Sequence, residues 1–122
     1  MSTTNLQIPL IDANQDQPTT AANEAIELLD TAIAGRLALN MTGLSTRTLT
    51  SAEAVNAMLH VTATTAACEL LLPASPKRWL VINDGSHTLT LKRSGQSTPA
   101  PPSVAAGASA LAYCDGTNIR KL

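Results

Sequence analysis

Two cysteines, two histidines and a scatter of carboxylates are the residues of this chain that could do chemistry. Cys114 stands in LAYCDGTNIRKL, next to Asp115 and Gly116. A thiol there could be a nucleophile, a metal ligand or half of a disulfide. A Cys-His nucleophile needs a thiol acidified by a base within hydrogen-bond reach. Cys114 alternates with Leu111 and Tyr113 on a strand and shares its face with Ala110 and Ala112, which predicts a small core residue. Cys68 follows Ala66 and Ala67 and precedes Leu70, and it reads the same way. Two cysteines make no disulfide framework, so the expectation is two reduced, buried thiols.

His60 and His87 fall on different strands, with no second His or Cys at metal-ligand spacing. No G-x-S-x-G elbow is present to support a Ser-His-Asp triad. Gly85, Gly95 and Gly107 are isolated turn glycines, not a phosphate loop. Asp84 and Asp115 both sit in glycine turns, and turn chemistry accounts for them. The expectation is a protein that is not an enzyme, with no cofactor and no metal.

The elements that position these residues fall into three stretches. Residues 1–18 read as an extended arm in which Leu6, Ile8 and Leu10 alternate with Gln7 and Pro9. Pro9 lacks a backbone donor, so the arm is at best an edge strand or a docked tail, and Leu6, Ile8 and Leu10 are its candidate docking residues. Residues 19–35 read as an amphipathic helix. Thr20 is its expected cap, Glu24 and Glu27 lie toward its N-terminal half, and Gly35 ends it. Ala22, Ile26, Leu29 and Ile33 recur at intervals of four, three and four, the spacing of a coiled-coil seam, and are the candidate oligomer interface. Four turns are too short to hold a coiled coil alone. The alternative is that the stripe packs on the chain's own sheet.

Residues 36–122 read as one β module. The apolar period changes there from 3.6 to 2, and strands are predicted at 58–64, 67–72, 78–83, 87–93, 108–114 and 117–121. Weaker strands are predicted near 37–41 and 46–50, and a helical turn capped by Ser51 at 51–57. Asn83-Asp84-Gly85-Ser86 and Asp115-Gly116 read as hairpin turns. The proline-rich stretch between them, 94–107, reads as a loop and edge. The predicted fold class is mainly β: an N-terminal extended arm and one short amphipathic helix, then a small antiparallel β-sandwich or barrel. No internal repeat long enough to suggest a solenoid is legible.

Composition narrows the function classes. Aromatic residues make up 2% of the 122 residues, with one Trp, one Tyr and no Phe. Leu, Ile, Val and Ala must build the core, and a thin core of this kind gains from a partner's surface. Residues 1–35 carry Asp12, Asp16, Glu24, Glu27 and Asp30 and no Lys or Arg; all eight basic residues lie beyond them. There is no long basic run and almost no aromatic side chain for base stacking, so nucleic acid is not an expected partner. No apolar run approaches the roughly 18 residues of a membrane span, and the first residues lack the pattern of a signal peptide.

The stretch 49–122 resembles a β module of tailed-phage and prophage structural proteins. The resemblance rests on the strand and turn from Arg78 to Gly85, the strand from Thr88 to Lys92, and the closing stretch Ala110 to Asn118 with its YCDGTN. The N-terminal stretch is similar to the start of phage fibre-like proteins at Asn23, Glu24, Ala25, Leu29 and Asp30. The resemblance implies a virion protein made in the host cytoplasm, a homotrimer bound to other virion structural proteins. With one β module, a short fibre, spike, adaptor or decoration role is expected. The alternative is a surface glycan-binding module, for which Trp79 and Tyr113 are the available stacking rings.

Overall fold

A computed structural model of the chain describes residues 2–10 and 19–122. The predicted helix is present as α1 (Thr19–Ala34). It stops where Gly35 donates its N–H to Thr31 O at 2.7 Å. A Cβ at Gly35 would lie 2.4 Å from that carbonyl and 2.7 Å from Asn56 Oδ1, so only glycine lets helix and body approach this closely. Gly35 O then accepts from Ala57 N and Met58 N, which ties the helix end to the β body.

The body is made of β1 (Arg36–Asn40), β2 (Thr46–Thr48), α2 (Ser51–Ala54), β3 (Met58–Thr62), β4 (Cys68–Leu71), β5 (Lys77–Asn83), β6 (Leu89–Lys92), β7 (Ser103–Val104), β8 (Ser109–Cys114) and β9 (Ile119–Lys121). The mainly β expectation and the predicted strands are all found. The helical turn is shorter than expected and its cap is Thr50, one residue earlier. Thr50 Oγ1 accepts from Glu53 N, and Glu53 Oε1 accepts from Thr50 N, a reciprocal capping box.

The pairing differs from the antiparallel sandwich expected from the turns. One sheet has the order β1-β3-β5-β8-β9 and the other β2-β4-β6-β7. From β1 to β6 the chain crosses from one sheet to the other at every connection, and the strands within each sheet are parallel. Arg36, Met58 and Leu80 stand side by side, so one coil takes 22 residues (58 minus 36, 80 minus 58). In the second sheet the steps are 23 and 21, from Thr46 to Glu69 to Thr90. The first three coils are therefore a short, flattened β-coil, contrary to the expectation of no repeat. Only β7, β8 and β9 add antiparallel pairs.

The physical reason lies in the Asn83-Asp84-Gly85-Ser86 turn. It joins strands of different sheets rather than closing a hairpin. Asn83 is fully buried. It donates to His87 O at 2.9 Å and Val104 O at 3.0 Å, and accepts from Gly85 N at 3.0 Å. These bonds hold the turn as a corner. Gly85 lies on Thr64 of the preceding coil, where an added Cβ would meet Thr64 Oγ1 at 2.2 Å. The Asp115-Gly116 turn is a true hairpin, between β8 and β9.

The core lies between the sheets. Leu39, Leu59, Val61, Trp79, Val81 and Ala112 point in from one side, Leu70, Leu89 and Leu91 from the other. Its residues run from Leu39 to Ile119, and α1 contributes none of them.

Candidate functional site: an uncovered helix face and the groove at its base

The candidate chemical residues are placed as structural ones. Cys68 and Cys114 are both buried and free, on strands of different sheets. Burial pushes the Cys68 thiol up, away from the thiolate form that reacts. His60 lies on the outer face of the five-stranded sheet, with Nε2 2.5 Å from Asp84 Oδ2 and Nδ1 against the Arg36 guanidinium. His87 contacts Thr64 O through Nδ1. Among the described residues, no three His, Cys, Asp or Glu side chains cluster as a metal site.

Asp115 closes the last hairpin. Its carboxylate accepts from Asn118 N and Thr117 N at 2.9 Å and from Arg120 Nε at 2.7 Å. These bonds, that from Asn118 first, hold its pKa down at about 2. Trp79 is fully buried and donates Nε1–H to Ala54 O at 3.0 Å. It cannot stack on a sugar, which leaves half-buried Tyr113 as the one aromatic ring near the surface.

The N-terminal residues do not run out as an extended arm. Residues 2–10 double back, with Ser2 bridged to Pro9 and Thr3 N donating to Ile8 O at 2.9 Å. The cause is Asp30 on α1, whose side chain is buried. One carboxylate oxygen accepts from Thr3 Oγ1 at 2.7 Å and Leu6 N at 2.6 Å. The other accepts from Asn5 N at 2.9 Å and Asn5 Nδ2 at 2.7 Å. Burial alone pushes the Asp30 carboxyl up, but the bonds from Thr3, Asn5 and Leu6 outweigh it and hold the pKa below the ordinary carboxylate value. Leu6 stays exposed, while Ile8 and Leu10 are half-buried. The remainder of the expected arm, 11–18, lies outside the described residues.

The seam residues share one long face of α1, as their spacing requires. Ala22 and Ile26 are half-buried, and Leu29 and Ile33 are 61% and 65% exposed. Leu29 and Ile33 stay mostly in water beside the chain's own sheet, and α1 adds no residue to the core. Leu28, outside the seam, is 59% exposed. Where α1 meets the body, Ile33 forms one wall of a groove of about 560 Å³ that Met58, Leu80 and Leu111 also line, with Arg78 at its edge. Met58, Leu80 and Leu111 are successive partners in one row across β3, β5 and β8, on the outer face of the sheet. Leu80 is 38% and Leu111 36% exposed. The face as a whole can bury apolar area against a protein surface. The His60–Asp84 pair lies on the same outer sheet face but is not among the residues that line the groove.

Five polar side chains among the described residues are buried, Thr3, Asp30, Thr64, Asn83 and Gln96, and sequence reasoning missed them all; three show why. Asp30 was readable only as a helix charge. Asn83 was readable only as a turn former. Gln96, 2% exposed, accepts from Ile119 N at 2.8 Å and donates to Ile119 O at 2.9 Å, fastening the proline-rich loop to β9. A polar residue inside an apolar run is a signal for such a role, and none of the three lies in one.

Among the described residues, no helix is long and apolar enough to cross a membrane. No protein-family model, no curated protein and no solved structure matches this chain.

Proposed function

We propose that this chain is a small homo-oligomeric structural component of a tailed-phage or phage-like virion, a fibre, spike, adaptor or decoration protein attached through its N-terminal segment. Three copies are what the resemblance to phage fibre-like proteins implies for this seam. The observation that carries this reading is the apolar stripe of α1, exposed at Leu29 and Ile33 on a helix that contributes nothing to the core. Exposed leucine and isoleucine on one continuous face mark a surface meant for protein. Each such side chain, once fully buried, contributes roughly 1.5–3 kcal/mol, so three copies of Ile26, Leu29 and Ile33 can hold what one copy cannot.

The body supports the same reading. Its β-coil is closed by antiparallel strands, and Asn83 and Asp115 are engaged in its corner and its last turn. The virion assignment itself rests on the YCDGTN and VINDG stretches and the N-terminal pattern around Asn23 to Asp30. Labelling the chain in purified particles and imaging them tests that assignment: the label should decorate a fixed position on the particle. Particles that lack the chain altogether would remove it.

A further inference from the structure

Helix α1 carries more apolar surface than its seam uses. At 3.6 residues per turn, Ala22, Ile26, Leu29 and Ile33 form a strip, and Ala25, Ala32 and Leu28 widen it to an arc of about 160°. A seam of a and d positions is narrower than that. Leu28 falls outside it and would stay in water at 59% exposure. That flank, where Leu28 and Glu24 line a shallow hollow with Thr20, Glu27 and Thr31, is open to a second contact.

The groove at the helix base offers one. Its walls are apolar, and the chain's own helix cannot fill it, because the last turn of that helix is one of the walls. Charge points to the occupant. In the β body every carboxylate has a cationic or imidazole partner: Glu53 with Arg47, Asp84 with His60, Glu69 with Lys92, and Asp115 with Arg120. Among the described residues, Arg36, Lys77, Arg78, Arg93 and Lys121 are paired with no carboxylate, and Glu24 and Glu27 of α1 with no cation; of those five cations, Arg78 is the one that lines the groove. Glu24 lies one turn before Leu28 on the same side of the helix. Among the described residues, the side-chain carboxylates without a cation are on the helix, and Arg78, which lines the groove, has no carboxylate partner.

We infer that the groove receives helix α1 of a second copy of this chain, with Leu28 against Met58, Leu80 and Leu111, and Glu24 against Arg78. The contact is head-to-tail, helix of one copy to groove of the next, and the central seam supplies the rotation that closes such a contact into a ring rather than a filament. This inference rests on the self-association proposed above and names the surface that completes it.

The test is sedimentation velocity across a concentration series of the full chain, with circular dichroism on every sample. Wild type is compared with Arg78→Glu, Glu24→Arg and the double variant that carries both. Each single variant is expected to raise the midpoint concentration for assembly about tenfold, because it sets like charges across the contact, and the double variant to regain most of that loss. Leu28→Ser, at a side chain that is exposed in the single chain, should weaken assembly as well without unfolding it. An oligomer whose midpoint neither Arg78→Glu nor Leu28→Ser changes would overturn the helix-in-groove contact and leave the seam standing. So would a double variant no better than the singles. A wild-type chain that stays monomeric at every concentration would overturn the inference together with the proposed oligomer.

Discussion

Asp30 shows how a single carboxylate can decide the course of a segment. Four donors from residues 3, 5 and 6 converge on it, and the N-terminal residues fold back to meet them. A carboxyl whose folded pKa lies below its unfolded value adds stability that is complete above the ordinary carboxylate range. That stability is lost as pH falls through the lowered value. Acidification should therefore free residues 2–10 from α1 only below about pH 4, the unperturbed Asp value. Asp30→Asn should free them at neutral pH, with amide exchange at Leu6 and Ile8 rising roughly tenfold or more while the β body stays protected. Unchanged protection in that variant would mean that packing, not the carboxylate, holds the segment. Gln96 is a second residue of this kind. Gln96→Ala leaves the Ile119 N–H and C=O without partners in a buried place, and should lower stability by about 1–3 kcal/mol in a denaturant titration.

At the scale of elements, what was legible follows from periodicity. The helix, the strands and the loop were readable because their apolar spacing and caps are local. Buried Cys68 and Cys114 were readable because their neighbours on a strand are fixed by alternation. The parallel coil was not readable. Its repeat is one of position and not of residue type: the column through Leu39, Val61 and Asn83 ends in a buried amide, and the steps in the second sheet are unequal. The turn at Asn83 has the residues of a hairpin, and only the side-chain bonds of Asn83 to His87 and Val104 make it a corner. Gly85→Ala is the check on that corner. The new methyl group meets the Thr64 side chain below any normal contact distance, so the variant should lose about 1–3 kcal/mol. A Gly85→Ala protein as stable as wild type would show that neighbouring coils are not in contact there.

At the scale of the whole molecule, the chain has a closed core and an open helix. The sheets bury their apolar faces against each other, while the helix stripe and the row Met58, Leu80 and Leu111 face outward. A monomer would keep that surface in water and gain nothing from it. That Ala22, Ile26, Leu29 and Ile33 share one face of a helix was legible from spacing alone, because a heptad pattern needs no tertiary context. The groove was not, since its row is assembled from strands 22 and more residues apart. Leu29→Glu with Ile33→Glu should dissociate the proposed oligomer and change the stability of the β body by no more than about 0.5 kcal/mol, because both side chains are exposed in the single chain. The most direct measurement is the mass of the pure protein in solution, by sedimentation equilibrium over a wide concentration range. A mass of three chains, falling to one in the double Glu variant, is the expected result; a folded wild-type monomer at every concentration would contradict the account.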